Sequence, residues 1–318
     1  MELSRIRGQA PAPSNHLVQL MRQHPLVFYF LLAYGLSWAY ELLVFGVLRV
    51  PFQLFTFLPV ILLGPTMVAF LMTAVTQGRA GIVQLLRRYV LWRVGIRWYL
   101  FVLLGVPALF LLPALIQPGA FSAFRLPGLP SLLDYLIAYL ATLVLAGPLM
   151  EEGGWRGFAL PRMEQRSGPL VGTLLLGVLS ALWYLPLMLL VPSYLGAGTG
   201  FVGILIFLGG EVIGNTALSC VYTWVFNNTR GSILLAMLLH ASWDTAITIS
   251  ALRLLLFPSL KMSGLYGLGL LLTEIVVAGV IIAATRGRLS YQRYLRETAR
   301  PSPLTEREQE QEEVRMSV

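Results

Sequence analysis

Long apolar stretches with very few charges dominate this sequence. Of its 318 residues, 57% are hydrophobic and only 12% are charged, so the apolar side chains are too many for the core of one soluble domain. A helix needs about 20 apolar residues to cross a bilayer. The sequence therefore predicts an all-α polytopic membrane protein with about eight transmembrane helices, at about Pro25–Leu48, Leu54–Thr76, Trp98–Ile116, Leu132–Leu160, Pro169–Val191, Gly200–Phe226, Gly231–Phe257 and Tyr266–Ala284.

The remaining residues divide the chain into three segments. We expect a cytoplasmic N-terminal segment over residues 1–24, a helical bundle over 25–284 and a polar, disordered cytoplasmic tail over 285–318, because that tail is poor in large apolar residues. Between them, residues 78–97 show the pattern of an amphipathic segment that lies at the membrane surface.

Arginines mark one side of the predicted bundle. If the N-terminus is cytoplasmic, the arginines of residues 79–97 and 162–166, Arg230 and those from Arg286 onward share that side, whereas only Arg49, Arg125, Arg253 and Lys261 lie near the other. This asymmetry follows the positive-inside rule, so we expect a multi-pass protein of the cell membrane with both termini cytoplasmic. Because topology explains the net charge of +8, nucleic acid is not expected as a partner.

Cysteine and histidine set limits on the chemistry. With Cys220 as the single cysteine, one chain cannot form a disulfide framework or a thiolate metal site. His16 and His24 precede the first apolar stretch, so only His240 lies within a predicted span.

Ionisable residues inside the predicted spans are the informative ones, because each is costly in lipid unless it is paired or hydrated. Glu151, Glu152 and Arg156 interrupt the fourth span. Glu152 and Arg156 are one helical turn apart in the favourable order for an ion pair, whereas Glu151 points about 100° away. We therefore expect Arg156 to hold Glu152 and to leave Glu151 free for a water, a metal or a proton; a buried ion-pair network that joins helices is the alternative.

His240 and Asp244 form a second pair, four residues apart on one face of the seventh span. At about 1.5 Å per residue, Glu151 and His240 both lie about 15 Å from the predicted cytoplasmic side. Two carboxylates and an imidazole at similar depth suggest a hydrolytic site that activates water. They also fit a proton or cation pathway, and a self-satisfied His–Asp hydrogen bond is a further alternative.

The order and spacing of these motifs resemble the CPBP intramembrane proteases, a family that groups type II CAAX prenyl endopeptidases with bacteriocin-processing and bacteriocin-immunity proteins. The resemblance covers about residues 131–284 and is carried by Glu151-Glu152-x-x-x-Arg156, Ala181-Leu182-Trp183-Tyr184-Leu185-Pro186-Leu187 and His240-x-x-x-Asp244. It implies an eight-helix membrane protein that cleaves peptides within the bilayer.

The resemblance also implies roles for individual residues. Glu151 corresponds to the glutamate that activates water, Glu152 and Arg156 complete that motif, and His240 with Asp244 assists or stabilises the oxyanion. Family members usually have Asn at the position of Asp244. An ionised aspartate cannot donate a hydrogen bond, so Asp244 stabilises an oxyanion only when protonated and otherwise orients His240.

Tyr184 is the larger departure, because many bacterial members have histidine at this position. A phenol can hold a water but is a poor base and an uncommon metal ligand. No second imidazole is then available from the spans for a two-histidine metal site. A divalent metal such as zinc stays open, with Glu151, His240 and Asp244 as candidate ligands.

Two functions follow from the sequence. The first is an intramembrane endopeptidase in which Glu151 activates water, Glu152 pairs with Arg156, and Tyr184, His240 and Asp244 arrange the water and the oxyanion. Its expected partners are the lipid bilayer and a membrane-associated peptide or protein substrate. The second is a catalytically degenerate family member that acts as a noncatalytic membrane scaffold or as a bacteriocin-immunity protein.

Overall fold

The computed structural model describes residues 16–191, 200–246, 251–260 and 264–299, and within these ranges the chain is helical with no strand. Three short π-helical stretches, Leu42–Val47, Phe101–Gly105 and Trp155–Ala159, continue α2, α5 and α9. The α-helices of the described ranges are α1 His16–Gln23, α2 Pro25–Glu41, α3 Leu54–Leu63, α4 Pro65–Tyr89, α5 Ile96–Leu100, α6 Val106–Leu115, α7 Ala120–Ala123, α8 Leu129–Leu145, α9 Pro148–Gly154, α10 Leu160–Ser167, α11 Pro169–Leu182, α12 Leu185–Leu190, α13 Phe201–Asn228, α14 Ile233–Ala246, α15 Ala251–Leu256, α16 Gly264–Thr285 and α17 Tyr291–Thr298.

The all-α polytopic membrane fold is confirmed, but the count of eight spans is not. Among the described residues, six helical segments are long and apolar enough to cross a bilayer, and a bent pair of helices raises the number to seven. The six are Pro25–Val47, Leu54–Tyr89, Ile96–Leu115, Pro169–Leu190, Phe201–Asn228 and Gly264–Thr285.

The fourth predicted span, Leu132–Leu160, is broken rather than continuous. Helix α8 ends at Leu145 and α9 begins at Pro148, and the two segments are bent by 43°. Gly147 lies between them with φ of +124°, a conformation that favours glycine, and the proline that follows opens the new helix. The break places the paired glutamates in the first two turns of a new helix.

The seventh predicted span, Gly231–Phe257, is described in two parts. Helix α14 has 14 residues and is about 21 Å long, which is shorter than the ~30 Å hydrocarbon core. Helix α15 follows, and residues 247–250 between the two lie outside the described ranges. The described parts of the predicted span are thus helical on both sides of residues 247–250.

The predicted surface segment, residues 78–97, continues a membrane helix as far as Tyr89. Helix α4 runs from Pro65 to Tyr89, and Gly78, with φ of +64° and ψ of −158°, interrupts it where the apolar residues give way to basic ones. The boundary predicted after Thr76 therefore corresponds to a kink within one long helical element.

The prediction of disorder from residue 285 onward is wrong for its first part. Helix α17 follows the last span, and Tyr294 within it is buried. Asn227, at the end of α13, donates a hydrogen bond to the Leu289 carbonyl at 2.9 Å. This contact fixes the start of the tail against the bundle, and residues 300–318 lie outside the described ranges.

Two packed apolar clusters meet at the predicted site. In the first, Tyr29 stacks on Phe158 with ring centroids 4.9 Å apart, next to Trp155. The second contains Tyr222 and Leu239. Helix α9 carries the glutamates on the side of the first cluster and α14 carries His240 on the side of the second, so the charged groups lie at the boundary between the two.

Candidate active site

Two glycines let helix α9 lie directly against α4. A Cβ atom on Gly153 would be 1.8 Å from the Tyr89 hydroxyl, and one on Gly154 would be 2.5 Å from the backbone of Pro65. The Thr66 hydroxyl accepts a hydrogen bond from the Gly154 amide at 3.2 Å. The Gly-Gly sequence after the glutamates thus sets where α9 lies relative to α4.

Glu152 lies at the centre of the charged network. Arg156 Nη1 is 3.0 Å from Glu152 Oε1, so the ion pair expected from the spacing is present. His240 Nδ1 is 2.7 Å from the same oxygen, a contact across 88 residues that the sequence did not predict. Glu152 is fully buried, and among the described residues its Oε2 has no hydrogen-bond partner. One carboxylate oxygen therefore joins the two motifs.

Arg156 is held by neutral groups as well as by Glu152. Its guanidinium lies over the Tyr222 ring, 3.9 Å from the centroid, and Nη2 is 3.5 Å from the Ser219 hydroxyl. Sequence reasoning missed Tyr222 and Ser219, because both come from α13 and no local spacing connects them to the motif. A guanidinium stacked on an aromatic face and bound to a carboxylate is a rigid unit.

Glu151 points away from Arg156, as the sequence predicted. Its Oε1 accepts a hydrogen bond from the Tyr184 hydroxyl at 2.8 Å, and its Oε2 is 3.4 Å from Trp155 Nε1. Trp155 follows Glu151 by four residues, so the spacing that identified Arg156 as the partner of Glu152 also applies to this pair. Glu151 is 2% exposed. Its described hydrogen-bond partners are neutral donors, which leave it a carboxylate able to accept a proton.

Tyr184 reaches Glu151 because α11 ends beside it. Helix α11 stops at Leu182 and α12 begins at Leu185, with Pro186 in its first turn. The Tyr184 ring packs edge-on against Trp183 with centroids 4.8 Å apart. The break between these two helices therefore aims the hydroxyl at the carboxylate.

His240 lies between two carboxylates. Its Nδ1 faces Glu152, and its Nε2 is 3.5 Å from Asp244 Oδ2, the partner expected one turn further along α14. An imidazolium donates to both groups, whereas a neutral ring donates to only one. The 3.5 Å separation is at the long limit of a hydrogen bond, so Nε2 is less firmly held than Nδ1.

His240 and Asp244 lie together, but the three candidate metal ligands do not form a metal site in the described part of the chain. Among the described residues, no three His, Cys, Asp or Glu side chains form a group that could hold a metal ion. Both nitrogens of His240 face carboxylates, and the oxygens of Glu151 face Tyr184 and Trp155. The residues present therefore do not fit the zinc site that Glu151, His240 and Asp244 were candidates for.

These helices and this charged site define a multi-pass membrane protein with a buried site of carboxylates, an arginine and a histidine. Residues 133–246 match the family described as type II CAAX prenyl endopeptidase Rce1-like, which confirms the resemblance over the segment that holds every candidate site residue. A curated relative, CAAX prenyl protease 2 of Methanococcus maripaludis, is 30% identical over 145 residues, which are 44% of this chain and 51% of that protein. The chain thus spans about half the length of the curated relative that it matches.

Proposed function

We propose that this protein is an intramembrane endopeptidase in which Glu151 activates a water molecule. The observation that carries the proposal is the buried Glu151 carboxylate, which is held by the Tyr184 hydroxyl at 2.8 Å and lies beside a separate Glu152–Arg156–His240 network. Because Glu152 takes the positive charge of Arg156, Glu151 keeps its capacity to accept a proton. A buried carboxylate held by neutral donors is a suitable general base for hydrolysis once a water molecule reaches it.

The reaction follows from these contacts. Glu151 takes a proton from the water, and the water oxygen attacks the carbonyl carbon of the scissile peptide bond. The tetrahedral oxyanion then needs a nearby donor. Tyr184 can turn its hydroxyl from Glu151 to the oxyanion once the carboxylate is protonated. Glu151 finally returns the proton to the leaving amine, so the base is regenerated and the C–N bond is replaced by a C–O bond and an N–H bond.

His240 has the supporting role in this proposal. Glu152 accepts from Nδ1 and fixes the plane of the ring, while the looser 3.5 Å approach of Asp244 leaves Nε2–H available to the oxyanion. This geometry supports Asp244 as an acceptor that orients His240. It does not require the protonated aspartate that a direct oxyanion contact would need.

The competing proposal is a noncatalytic family member, a membrane scaffold or a bacteriocin-immunity protein. The observation that favours it is the same 2.8 Å contact, because the Tyr184 hydroxyl binds the base at a position where many bacterial family members have histidine. Glu151 then has a structural partner and no water to activate.

An assay of purified protein in liposomes separates the two. The first substrate to test is a prenylated peptide ending in a CAAX sequence, since the relative's name points to it, with the same peptide without the prenyl group as the second. We expect Glu151→Gln, which keeps the shape of the side chain, to lower cleavage by at least about 10²-fold. Glu41→Gln is the matched control, because Glu41 is an equally buried carboxylate in α2, outside the site.

The outcome that contradicts the enzyme is also defined. If the native chain cleaves neither of these two peptides nor any member of a broader peptide library, and the Tyr184→His variant does cleave, the chain is a degenerate family member.

We further propose that the protein lies in the cell membrane with its arginine-rich side in the cytoplasm, which the positive-inside rule supports.

A further inference from the structure

A separate polar cavity lies behind the motif helix, between the second half of α4 and α10. Its volume is about 210 Å³, and its polar lining includes Gln77, Gln84, Arg88, Arg162 and Gln165. The described residues that line it include no carboxylate. The cavity is on the arginine-rich side of the bundle, where α4 and α10 both end.

Arg88 enters this cavity, and none of the described residues gives it a negative partner. Its Nη2 donates to the Tyr294 hydroxyl at 2.8 Å and its Nη1 approaches the Gly157 carbonyl at 3.4 Å. Its guanidinium carbon lies 5.9 Å from the centre of the Phe226 ring. All of these groups are neutral, so they orient the guanidinium and leave its charge uncompensated.

Arg162 lies on the opposite wall of the cavity and is also held by neutral groups. Its Nη1 donates to the Phe158 carbonyl at 2.8 Å, and the guanidinium lies 3.7 Å from the centre of the Phe158 ring. Across the described ranges, neither Arg162 nor Arg88 lies within 4.0 Å of a carboxylate. Two half-buried like charges in one cavity repel each other and are costly to desolvate unless an anion joins them.

We propose that this cavity binds a phosphate-type oxyanion. A guanidinium offers a planar pair of donors that matches a phosphate, and the neutral Gln77, Gln84 and Gln165 amides supply further donors around it. Basic cavities between membrane helices on the cytoplasmic side bind anionic headgroups in this way. The oxyanion comes from the headgroup of an anionic phospholipid or from a soluble phosphate compound, and the two sources are separable by experiment.

A second basic cavity provides the control. It is lined by Arg93, Arg97, Arg230 and Arg293, but Arg293 is paired with Glu297 at 2.6 Å and the first three are exposed to solvent. Exposed arginines are hydrated and do not require an anion. Arg97→Gln therefore removes one charge from the same side of the protein without touching the proposed site.

The test uses the full chain in a neutral detergent with two probes, phosphatidylglycerol and inorganic phosphate. Native mass spectrometry measures the lipid and a thermal shift measures the phosphate. We expect Arg162→Gln to weaken binding about tenfold or more, as for a lost charge-assisted hydrogen bond. Arg97→Gln should change the binding affinity for either probe by less than about threefold. If only the binding of phosphatidylglycerol depends on Arg162, the cavity is a site for a lipid headgroup. If the binding of both probes depends on Arg162, it is a site for soluble phosphate.

Folding is checked by size-exclusion chromatography and circular dichroism. If Arg162→Gln does not fold, Gln84→Leu replaces it, because Gln84 is exposed at the cavity rim; it should weaken binding about threefold to tenfold. The proposal is overturned if neither probe binds, if Arg97→Gln weakens binding as much as Arg162→Gln, or if the substitute variant Gln84→Leu binds like the native chain.

Discussion

The hydroxyl of Tyr184 is a single group on which both candidate functions depend. Tyr184→Phe removes it and keeps the ring against Trp183. If the hydroxyl positions the water and then the oxyanion, kcat should fall about 10- to 100-fold with little change in KM, because the lost interaction strengthens in the transition state. Steady-state cleavage in liposomes measures both constants.

The control for that variant is Tyr40→Phe. Tyr40 donates its hydroxyl to the Thr56 carbonyl at 3.1 Å, in a part of the bundle away from the site. We expect its kcat to stay within about twofold of the native value, since a net hydrogen bond of this kind affects stability rather than chemistry. A Tyr184→Phe variant with native kcat would remove Tyr184 from the mechanism.

Arg156 should matter for stability as well as for activity. Arg156→Ala leaves the fully buried Glu152 with His240 as its remaining described partner. Removing one member of a buried ion pair costs about 3–5 kcal/mol, because the other charge remains desolvated. Arg156→Lys keeps the charge but loses the planar stacking on Tyr222, so we expect an intermediate loss. Unfolding in mixed detergent micelles should show that the native chain is the most stable, Arg156→Lys less stable and Arg156→Ala the least stable. An Arg156→Ala variant as stable as the native chain would contradict this prediction.

Local spacing predicted the contacts that one helix makes with itself. The pairs Glu152–Arg156 and His240–Asp244 are each four residues apart, and both are present at 3.0 and 3.5 Å. The contact between Glu152 and His240 could not be predicted in this way, because it depends on how α9 and α14 pack. Agreement in membrane depth, which the sequence did give, indicated only that such a contact was possible.

At the scale of the element, the approach of α9 to α4 is the feature that positions the glutamates. Gly154→Ala should separate the two helices, because the added methyl would lie 2.5 Å from the backbone of Pro65, which cannot move aside as a side chain can. Overpacking of this kind costs about 1–3 kcal/mol. Cleavage should fall together with thermal stability, and both are measured on the same purified sample.

The matched control is Gly279→Ala in α16. A Cβ atom at Gly279 would have open space, with no heavy atom within 4 Å. The substitution should be neutral or should stabilise the helix by up to about 1 kcal/mol, because alanine is the better helix former. If Gly154→Ala behaves like Gly279→Ala, close packing of α9 on α4 does not position the site.

Breaks in the helices show where sequence patterns succeed and where they fail. The Gly147-Pro148 pair signals the end of one helix and the start of the next, yet the apolar run through it favoured a single span. At the break between α11 and α12, by contrast, Pro186 in the first turn of α12 is the sequence signal. Apolar runs thus predict which segments enter the membrane better than they predict how many helices each run forms.

At the scale of the whole molecule, the packing of α17 restricts the topology. The hydrogen bond from Asn227 to the Leu289 carbonyl and the one from Arg88 to Tyr294 hold the start of the tail against the ends of α13 and α4. The chain therefore leaves this side after α13 and returns to it after α16. Because α16 is long enough to cross the membrane once on the way back, the segment that contains α14 and α15 must make the preceding crossing in the opposite direction.

This topology predicts which residues lie on the same side of the membrane. In a chain with Cys220→Ser, single cysteines at Ser122, Ser167 and Gln292 report the two sides, and all three positions are exposed. We expect Ser122→Cys to react with a membrane-impermeant maleimide in intact cells, and Ser167→Cys and Gln292→Cys to react only after the cells are permeabilised. A cysteine at Gln292 that reacts from outside while Ser167→Cys stays protected would mean that α14 and α15 do not cross, and that the fold has an odd number of spans. If all three react in the reverse pattern, the arginine-rich side, with the cavity lined by Arg88 and Arg162, faces away from the cytoplasm.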